Sequence, residues 1–505
     1  MSLEKTGFKA AMSDASKHSM AAPGVRQSRV EAVNAASGRD LYKAREQIYP
    51  KLVFGKFRSL KWFLMAVTLS IYYLVPFIRW DRGEGAPDQA VLIDFAGRRF
   101  YFFFIEIWPQ EVYYITGLLI LGALALFLAS ALFGRVWCGY ACPQTVWTDL
   151  FIAVERLFEG NRNARMRLDK AKWSVNKVWR KVGKHAVWLV IAAATGGAWI
   201  LYFHDAFDLL ANFFTGQAAL SAYLFAGILT FTTYTLAGTM REQVCTYMCP
   251  WPRIQAAMTD REALNVTYRH DRGETRGPHK KGESWEGRGD CIDCKQCVAV
   301  CPMGIDIREG PQLECIHCAL CIDACDDIMT KIDRPTGLIT YETDDNIDRF
   351  VAGEKPRYRF VRPRTMVYAV AFAIVASVML VALVNRSELE LNAQRDRNPN
   401  YVTLSDGSVR NGYNLKVINK ASEARVFDLV LEGDAQFEVR VIGARDDAPM
   451  RLSVGADQTQ DFMIYLTLPA DAIDSDRERL VFRVIDPVSG EDAITPTVFV
   501  TGAPR

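Results

Sequence analysis

Eight of the twelve cysteines stand in two runs of identical spacing. The runs are Cys291-x2-Cys294-x2-Cys297-x3-Cys301-Pro302 and Cys315-x2-Cys318-x2-Cys321-x3-Cys325. Three thiolates three residues apart can surround one iron-sulfur cubane, because the loop between them turns around it, and a distant fourth thiolate closes the cage. Such doubled runs are typical of bacterial two-cluster ferredoxins. Zinc binding and free structural thiols are the alternatives, but zinc sites usually use pairs of ligands with a longer spacer.

This spacing predicts two 4Fe-4S clusters, each taking the fourth cysteine of the other run. The first cluster site is predicted to consist of Cys291, Cys294, Cys297 and Cys325. The second cluster site is predicted to consist of Cys315, Cys318, Cys321 and Cys301. Asp326 follows Cys325 where proline is usual. The conformation of the local turn is therefore not predicted, whereas the ligation by Cys325 is. His317 lies inside the second run, and a solvated imidazole beside the cluster is its expected role.

The other four cysteines form two shorter pairs, which we call the membrane thiols. They occur in Cys138-Gly-Tyr-Ala-Cys142-Pro143 and Cys245-Thr-Tyr-Met-Cys249-Pro250. Each pair follows an uncharged stretch and an arginine, Arg135 or Arg241, so a helix and its end are repeated in the sequence. If each helix continues through its pair, the i,i+4 spacing places both sulfurs on one face.

Two such faces meeting in a helical bundle would form a four-thiolate site near the membrane surface. Thiolates are soft ligands that select Cu(I), zinc or iron-sulfur species, and Met248 could add a thioether. The alternatives are that these cysteines are small buried hydrophobic residues or that they cycle through disulfides. The repetition at equivalent helix ends favours a copper or redox role for all four.

Five uncharged stretches provide the elements that would position these cysteines. They are Trp62 to Ile78, Val112 to Phe133, Ala186 to Phe203, Phe213 to Met240 and Met366 to Val384. A hydrocarbon core of about 30 Å needs about 20 residues of helix, and lipid offers no hydrogen-bond partner to an open strand. We therefore expect a bundle of five transmembrane helices, the first of them a retained anchor without a cleavage pattern.

The distribution of Lys and Arg predicts the orientation of this bundle. Residues 1–61 contain 12 of them and residues 134–184 contain 11, whereas residues 81–111 contain 3. The N-terminus is therefore expected in the cytoplasm of a bacterial inner membrane, and the last 121 residues in the periplasm. All cysteines then lie on or near the reducing side. The short apolar patch from Phe100 to Trp108 predicts an interfacial hairpin on the outer face, turning around Ala96-Gly97.

The segment after the last helix has the pattern of an all-β domain. Eight short runs are candidate strands: Tyr401 to Leu404, Tyr413 to Asn419, Arg425 to Leu431, Phe437 to Ile442, Met450 to Val454, Phe462 to Leu468, Leu480 to Ile485 and Thr497 to Thr501. Turns are expected at Asp406-Gly407 and Asn411-Gly412. Seven or eight strands in about 110 residues predict an immunoglobulin-like sandwich, used for binding or docking.

Length and composition agree with a multidomain membrane protein. The 505 residues are too many for one core, and 50% hydrophobic residues exclude a disordered chain. The near balance of 60 Lys+Arg and 58 Asp+Glu indicates no nucleic-acid partner, and the basic loop 156–184 fits anionic lipid better. The predicted domains are an arm (1–61), four helices with the membrane thiols (62–250), an α+β ferredoxin-like domain (251–365), a fifth helix (366–384) and the sandwich (385–505).

From about Tyr49 to its end the chain resembles the CcoG/FixG/RdxA family of cytochrome oxidase accessory proteins. The resemblance is carried by Val136-Trp-Cys-Gly-Tyr-Ala-Cys-Pro143, Val244-Cys-Thr-Tyr-Met-Cys-Pro250, Cys301-Pro-Met-Gly-Ile-Asp-Ile-Arg308 and Glu314-Cys-Ile-His-Cys318 leading to Cys-Ile-Asp-Ala-Cys325. It implies reduction of Cu(II) to Cu(I) for the copper site of cbb-type oxidases. The implied partners are a copper chaperone or transporter, the oxidase assembly machinery and an unknown cytoplasmic electron donor.

Two other functions stay open at this point. A quinol dehydrogenase subunit would share the ferredoxin runs and the Cys-x3-Cys-Pro pairs but would need a quinone pocket, which no residue set identifies. A non-enzymatic assembly scaffold would carry clusters that are only structural. The sequence does not decide the oligomeric state, and a homodimer is one arrangement that it allows.

Overall fold

The structure is a computed structural model that describes residues 28, 30–34, 46–83, 86–280, 282–421, 423–433, 435–443 and 450–502. Most of the predicted arm 1–61 therefore lies outside the described residues. The chain divides into two compact units, one formed by Met1–Trp80 and Gln89–Ser377 and the other by Asp81–Asp88 and Val378–Arg505. The five predicted domain boundaries stay predictions.

Four helices in the described part of the chain are long and apolar enough to cross a membrane. They span Lys56–Phe77, Pro109–Phe133, Leu220–Met240 and Pro363–Val384. The chain is therefore a membrane protein, but the count of five crossings is not confirmed. Helix α6 (Val175–Ile200) covers the third expected stretch, but it is not one of these four, and its first half carries Lys177, Lys181 and Lys184.

Helices α1 (Lys56–Leu74), α2 (Tyr113–Phe133) and α6 of the first unit cover uncharged stretches, whereas the stretch from Phe213 to Met240 is divided between two helices. Further helices of this unit are α3 Val136–Tyr140, α4 Pro143–Glu159, α5 Arg162–Lys170, α7 Ala206–Thr215, α8 Leu220–Thr233 and α9 Trp251–Met258. The prediction of one helix from Phe213 to Met240 is wrong. Phe213 belongs to α7, which ends at Gly216 in the left-handed conformation, a common helix terminator that glycine adopts without strain.

A small antiparallel sheet lies between α1 and α2. Strands β1 (Val91–Asp94), β2 (Arg99–Phe102) and β3 (Ile105–Ile107) pair in sequence order. The turn between β1 and β2 contains Ala96 and Gly97, so the predicted hairpin is present, whereas its place on the outer face stays a prediction. Phe95 at this turn stacks on Phe203 after α6, with ring centroids 5.5 Å apart.

Buried ion pairs fix α4, α5 and α6 to one another. Glu155 on α4 is fully buried and contacts Arg165 (2.7 Å), Arg241 (3.0 Å) and Lys184 (3.4 Å). Burial alone would raise the pKa of Glu155, but these three cations hold it below its ordinary value. Several charges of the basic loop 156–184 thus face carboxylates inside the protein, which the lipid-facing interpretation of that loop did not foresee.

The ferredoxin-like region is a compact α+β arrangement. Strands β4 (Asn265–Tyr268) and β5 (Ile339–Glu342) form an antiparallel pair. Helix α10 is His270–Gly273, α11 Gln296–Val300, α12 Leu320–Lys331, α13 Asp344–Val351 and α14 Pro363–Val384. Val298 of α11, Ile322 of α12 and Ile339 of β5 meet in one buried core together with cysteines of both runs.

The second unit contains two packed antiparallel sheets. Its strands are β6 Leu389–Arg395, β7 Val402–Thr403, β8 Val409–Asn419, β9 Arg425–Gly433, β10 Glu438–Val441, β11 Arg451–Val454, β12 Gln458–Leu468, β13 Arg477–Ile485 and β14 Asp492–Val500. One sheet has the order β10-β12-β8-β6, with β7 paired to β8, and the other β11-β9-β13-β14. Alternating residues of both sheets, such as Leu415 and Phe482, fill the core between them.

The predicted sandwich is thus confirmed as an immunoglobulin-like domain, with two corrections. Strand β6 was not predicted, because Leu389–Arg395 directly follows the last membrane helix and carries charges. The turn expected at Asn411-Gly412 is wrong, since both residues lie inside β8. Buried Asn411 instead exchanges hydrogen bonds with the backbone of Val500. The turn at Asp406-Gly407 is confirmed, with Gly407 at φ 82°.

We expect Phe482→Ala to loosen the sandwich selectively. Phe482 is completely buried, and truncation of a buried phenylalanine costs about 3–5 kcal/mol. Amide hydrogen exchange, followed by mass spectrometry on the full chain, should accelerate about a hundredfold or more in β8 and β13 and stay unchanged in α12. Val488→Ala, at an exposed position, is the matched control. Equal exchange in both variants would contradict the assigned core.

Candidate iron-sulfur and membrane thiol sites

The four cysteines predicted for the first cluster site surround one cavity. Cys291, Cys294, Cys297 and Cys325 all line it, beside Tyr268 and Arg308. Cys297 lies in α11 and Cys325 in α12, whereas the other two come from the loop before α11. Burial raises the pKa of the Cys297 thiol. The structure thus brings together the set that the crossed-ligand prediction requires.

The second predicted set surrounds a separate cavity. Cys301, Cys315, Cys318 and Cys321 line it together with apolar residues such as Val266 and Ile305. Burial raises the pKa of both Cys301 and Cys315 to about 12, so a metal bound there would displace protons from the thiols. Four thiols around an enclosed apolar cavity fit a 4Fe-4S cluster in each site. Ligation itself stays a prediction.

The two cysteine loops have the same backbone conformation. Positive φ angles occur at the residues on either side of the middle cysteine: Asp293 and Lys295 in the first run, His317 and Ala319 in the second. Non-glycine residues adopt this region rarely. Placed alternately along a loop, such residues curl the backbone and can turn its N–H groups towards an anionic guest. The repeated conformation supports the same role for both runs.

The membrane thiols do not lie on continuous helices, so the expected i,i+4 arrangement is wrong. Helix α2 ends at Phe133, Gly134 takes φ 59°, and the new helix α3 carries Cys138. Cys142 is the residue before α4. The helix through Met240 likewise breaks at Arg241 (φ 47°), and Cys245 lies on a π-helical segment, Val244–Met248, after the break.

The four membrane thiols nevertheless lie near one another. Burial, and then the charges of Cys142, Cys138 and Cys249, raise the pKa of Cys245 to about 12. Cys249 is exposed and the other three are half-buried. In the described part of the chain, no three His, Cys, Asp or Glu side chains are close enough for a single metal ion. The quartet is thus a gathering of soft donors, not a preformed chelate, and Met248 is 56% exposed.

A contact network joins the second cluster site to Cys138. The backbone N–H of Arg135 donates to Nδ1 of His317 (3.0 Å), and the Arg135 guanidinium donates to the carbonyl of Cys315 (3.1 Å). Gly139 in α3 packs on the backbone of Ile316, whose oxygen would lie 2.8 Å from an added Cβ. Cys138 thus lies on a short helix whose neighbouring residue, Gly139, packs on the loop that carries Cys315 and Cys318.

The role expected for His317 is wrong. Its side chain is buried, 8% exposed, and burial, assisted by Arg135, lowers its pKa to about 3. The imidazole is thus neutral and accepts a hydrogen bond with Nδ1. Its backbone carbonyl accepts a hydrogen bond from the hydroxyl of Tyr341 (2.5 Å). Sequence reasoning noted Arg135 but missed Tyr341, for which no local motif exists.

Two aspartates on α12 attach it to its surroundings. Asp323 accepts hydrogen bonds from the backbone N–H groups of Phe57 (3.2 Å) and Arg58 (2.7 Å) at the start of α1. Asp326, which replaces the usual proline, accepts one from the N–H of Gly337 (2.8 Å). The helix with two cluster cysteines is therefore fixed to the first membrane helix.

Gln255 is a further neighbour of the membrane thiols that the sequence did not reveal. It is completely buried on α9. The Cys138 thiol donates to its Oε1 at 3.2 Å, while its Nε2 donates to Ser130 on α2 (3.3 Å). Gln255 therefore ties the first thiol pair to the segment that follows the second pair.

Three family models match the chain. The 4Fe-4S dicluster domain covers residues 240–344, the 4Fe-4S binding domain residues 115–162, and the IG-like fold at the C-terminal of FixG residues 379–502. The chain is 51% identical to the nitrogen fixation protein FixG of Rhizobium meliloti (strain 1021), over 91% of this chain and 94% of that protein. The chain belongs to the FixG/RdxA family.

A second curated relative agrees with this FixG/RdxA assignment. Protein RdxA of Cereibacter sphaeroides is also 51% identical, over 85% of this chain and 91% of RdxA. A crystal structure of a FixG-related protein from Vibrio parahaemolyticus matches 23% of this chain and 96% of that chain, at 20% identity and a TM-score of 0.20. This last score is too low to support an argument. The family is one of iron-sulfur, oxidoreductase-like membrane proteins.

We expect Gly139→Ala to destabilise this FixG/RdxA-family protein. In an open helical position the change from Gly to Ala is favourable by about 0.5–1 kcal/mol, but at Gly139 the new methyl group would meet the Ile316 backbone. Overpacking of this kind costs about 1–3 kcal/mol. Thermal unfolding of the cluster-loaded protein, followed by cluster absorbance, shows whether the melting temperature of the variant falls or rises. Gly122→Ala, with no neighbour within 4 Å, is the control, and a stabilised Gly139→Ala would refute the contact.

Proposed function

We propose that this protein is a membrane-bound iron-sulfur oxidoreductase that reduces Cu(II) to Cu(I) for assembly of the copper site of a cbb-type cytochrome c oxidase. One observation carries the proposal. Cys138 and Cys245, one from each membrane pair, pack on the same apolar cluster as Cys301 and Cys315 of the second cluster site. A soft-metal site and an electron-carrier site are therefore immediate neighbours.

The residues around these sites have separable tasks in the proposed reaction. The 4Fe-4S clusters, when bound, supply single electrons, and Cu(II) needs one electron to become Cu(I). Cys138, Cys142, Cys245 and Cys249 would bind the copper, lose thiol protons as they do so, and favour Cu(I) as soft ligands. Arg135 holds the loop of the second cluster site against α3, and the apolar cluster lies between this loop and the membrane thiols.

The proposed topology has five crossings, with the N-terminus in the cytoplasm and the sandwich in the periplasm of a bacterial inner membrane. The side chains of α6 support its assignment as the crossing that is missing from the four apolar helices described above. Val175 and Trp179 on its outer side are 88% and 71% exposed, whereas Lys184 is buried against Glu155 and Glu159. The charges that lower the hydropathy of α6 thus point into the protein and not towards lipid.

The partners of the proposed reaction follow from its chemistry. A copper chaperone or transporter would exchange copper with the membrane thiols, and Cys249 is the exposed member of the quartet. The oxidase assembly machinery would receive Cu(I), and a cytoplasmic donor would supply electrons.

The cavity beside Cys245 does not favour the quinol dehydrogenase alternative. It is lined by Lys61, Asp149 and Arg241 among others and measures about 30 Å³, room for about one water molecule. A quinone ring does not fit there. Reduction of the clusters by quinol in the purified protein would revive this alternative, and clusters that stay redox-silent would favour a scaffold.

Replacement of all four membrane thiols by serine should abolish cupric reduction without removing the clusters. The proposed copper site would lose its four thiolate ligands, which are soft donors. We therefore expect Cu(I) formation, measured with a Cu(I)-specific chelator, to fall about tenfold or more. Met366→Leu, a change of an exposed sulfur residue of α14 outside the thiol site, is the matched control. Iron and sulfide content and EPR spectra should not change. Unaltered turnover with intact clusters would remove copper chemistry from these residues.

The topology can be tested with reporter fusions to the full membrane part. Five crossings predict that alkaline phosphatase fused after Val384 is active and that green fluorescent protein at the same position is dark. Phosphatase fused after Val351, on the cytoplasmic side in this topology, should be inactive and serves as the control. An active fluorescent protein after Val384 would indicate an even number of crossings.

A further inference from the structure

An open groove lies beside helices α11 and α12, which carry cysteines of both cluster sites. It has a volume of about 710 Å³. One wall is the segment before α1, with Lys51 and Phe54, and the other is formed by Gln296 of α11 and by Asp327 and Lys331 of α12. The groove is thus large enough to receive a protruding loop of another molecule.

The groove reaches the first cluster site through two helices. Gln296 and Ala324, both in its wall, directly precede Cys297 and Cys325 in the sequence, and Val300, also in the wall, directly precedes Cys301 of the second site. Cys297 and Cys325 belong to the cavity of the first cluster site. The second cluster site is instead the one in contact with α3 and Cys138. In the proposed relay, electrons leave towards the membrane thiols from the second site and are therefore taken up at the first, whose Cys297 and Cys325 directly follow two wall residues of the groove.

The wall has the chemistry of a docking surface for an electron carrier. Phe54 is 72% exposed and offers an apolar contact at the rim. Lys51 donates to Oε1 of Gln296 (2.8 Å), and Lys331 pairs with Asp327, so the lining has one positive charge in excess. A 4Fe-4S cluster accepts one electron at a time, whereas a nicotinamide transfers a two-electron hydride. The lining thus suits an acidic protein that carries single electrons.

We propose that this groove is the docking site of a small acidic one-electron carrier protein that reduces the first cluster. In each encounter the reduced carrier loses one electron and the oxidised cluster gains it; no bond or proton is exchanged. Transient electron-transfer interfaces are small, below about 1,200 Å², so a short groove with a few charges is sufficient. The inference rests on the electron-relay part of the proposed function and not on copper.

Charge reversals at the groove test this docking. The probe is an acidic plant-type ferredoxin, photoreduced and mixed anaerobically with the oxidised full-length protein in the absence of copper. Complementary charges act mainly on the association rate. We expect the second-order rate of cluster bleaching to fall about tenfold in Lys331→Glu and to rise severalfold in Asp327→Lys. Both effects should shrink as salt shortens the Debye length.

Two controls make the outcome decisive. Reduction by a small neutral photoreductant, deazaflavin under light, should be the same in all variants, because it needs no docking surface. Lys416→Glu reverses an exposed lysine on β8 of the sandwich and should leave the ferredoxin rate unchanged. Equal ferredoxin rates in Lys331→Glu and Asp327→Lys at low salt would overturn the proposal and leave the groove to a small molecule or another protein segment. A protein that neither reductant bleaches would overturn it together with the electron relay, whereas failed cupric reduction alone would not affect it.

Discussion

The attachment of the second cysteine run to α3 is the contact on which the rest of the structure depends. The N–H of Arg135 and the Nδ1 of His317 are separated by 182 residues in sequence and meet at 3.0 Å. The hydrogen bond needs a neutral imidazole, and the burial of His317 ensures it, because a charged ring in that place would be costly. The loop of the second cluster site and the thiol-bearing helix α3 are thereby held in fixed positions relative to each other. An electron transfer between them would need no domain movement.

Two buried carboxylates extend this rigid connection into the membrane helices. Asp323 caps the start of α1 from α12, and the close approach leaves room only for glycine at position 55, where a Cβ would lie 2.3 Å from the carboxyl carbon. Glu155 gathers Arg165, Lys184 and Arg241 around α4. Buried charges of this kind need full pairing to be tolerated. They specify one arrangement of the helices at the point where the thiols must converge.

The sequence predicted the elements better than the contacts between them. Cysteine spacing was sufficient to group the eight ferredoxin cysteines around two cavities, because ligand geometry constrains nearby residues. Uncharged runs located the helices but not their breaks: Gly134 and Gly216 end helices through their backbone conformation, which hydropathy does not report. Strand β6 and the contacts of His317 and Gln255 depend on residues far apart in the chain, and a single sequence contains no signal for such pairs.

The two copies of the Cys-x-Tyr-x-Cys-Pro motif have diverged in what surrounds them, and this asymmetry gives the site a direction. In the first copy, Arg135 binds the ferredoxin-like region, and Tyr140 donates to the carbonyl of Cys318 (3.4 Å). In the second copy, Arg241 binds Glu155 inside the bundle, while Tyr247 and Cys249 stay exposed. The first pair thus lies against the ferredoxin-like region, whereas in the second pair Cys245 packs on the same apolar cluster and only Cys249 is exposed. In the proposed reaction, a metal held between the pairs would receive electrons on the side of Cys138 and exchange with partners on the side of Cys249.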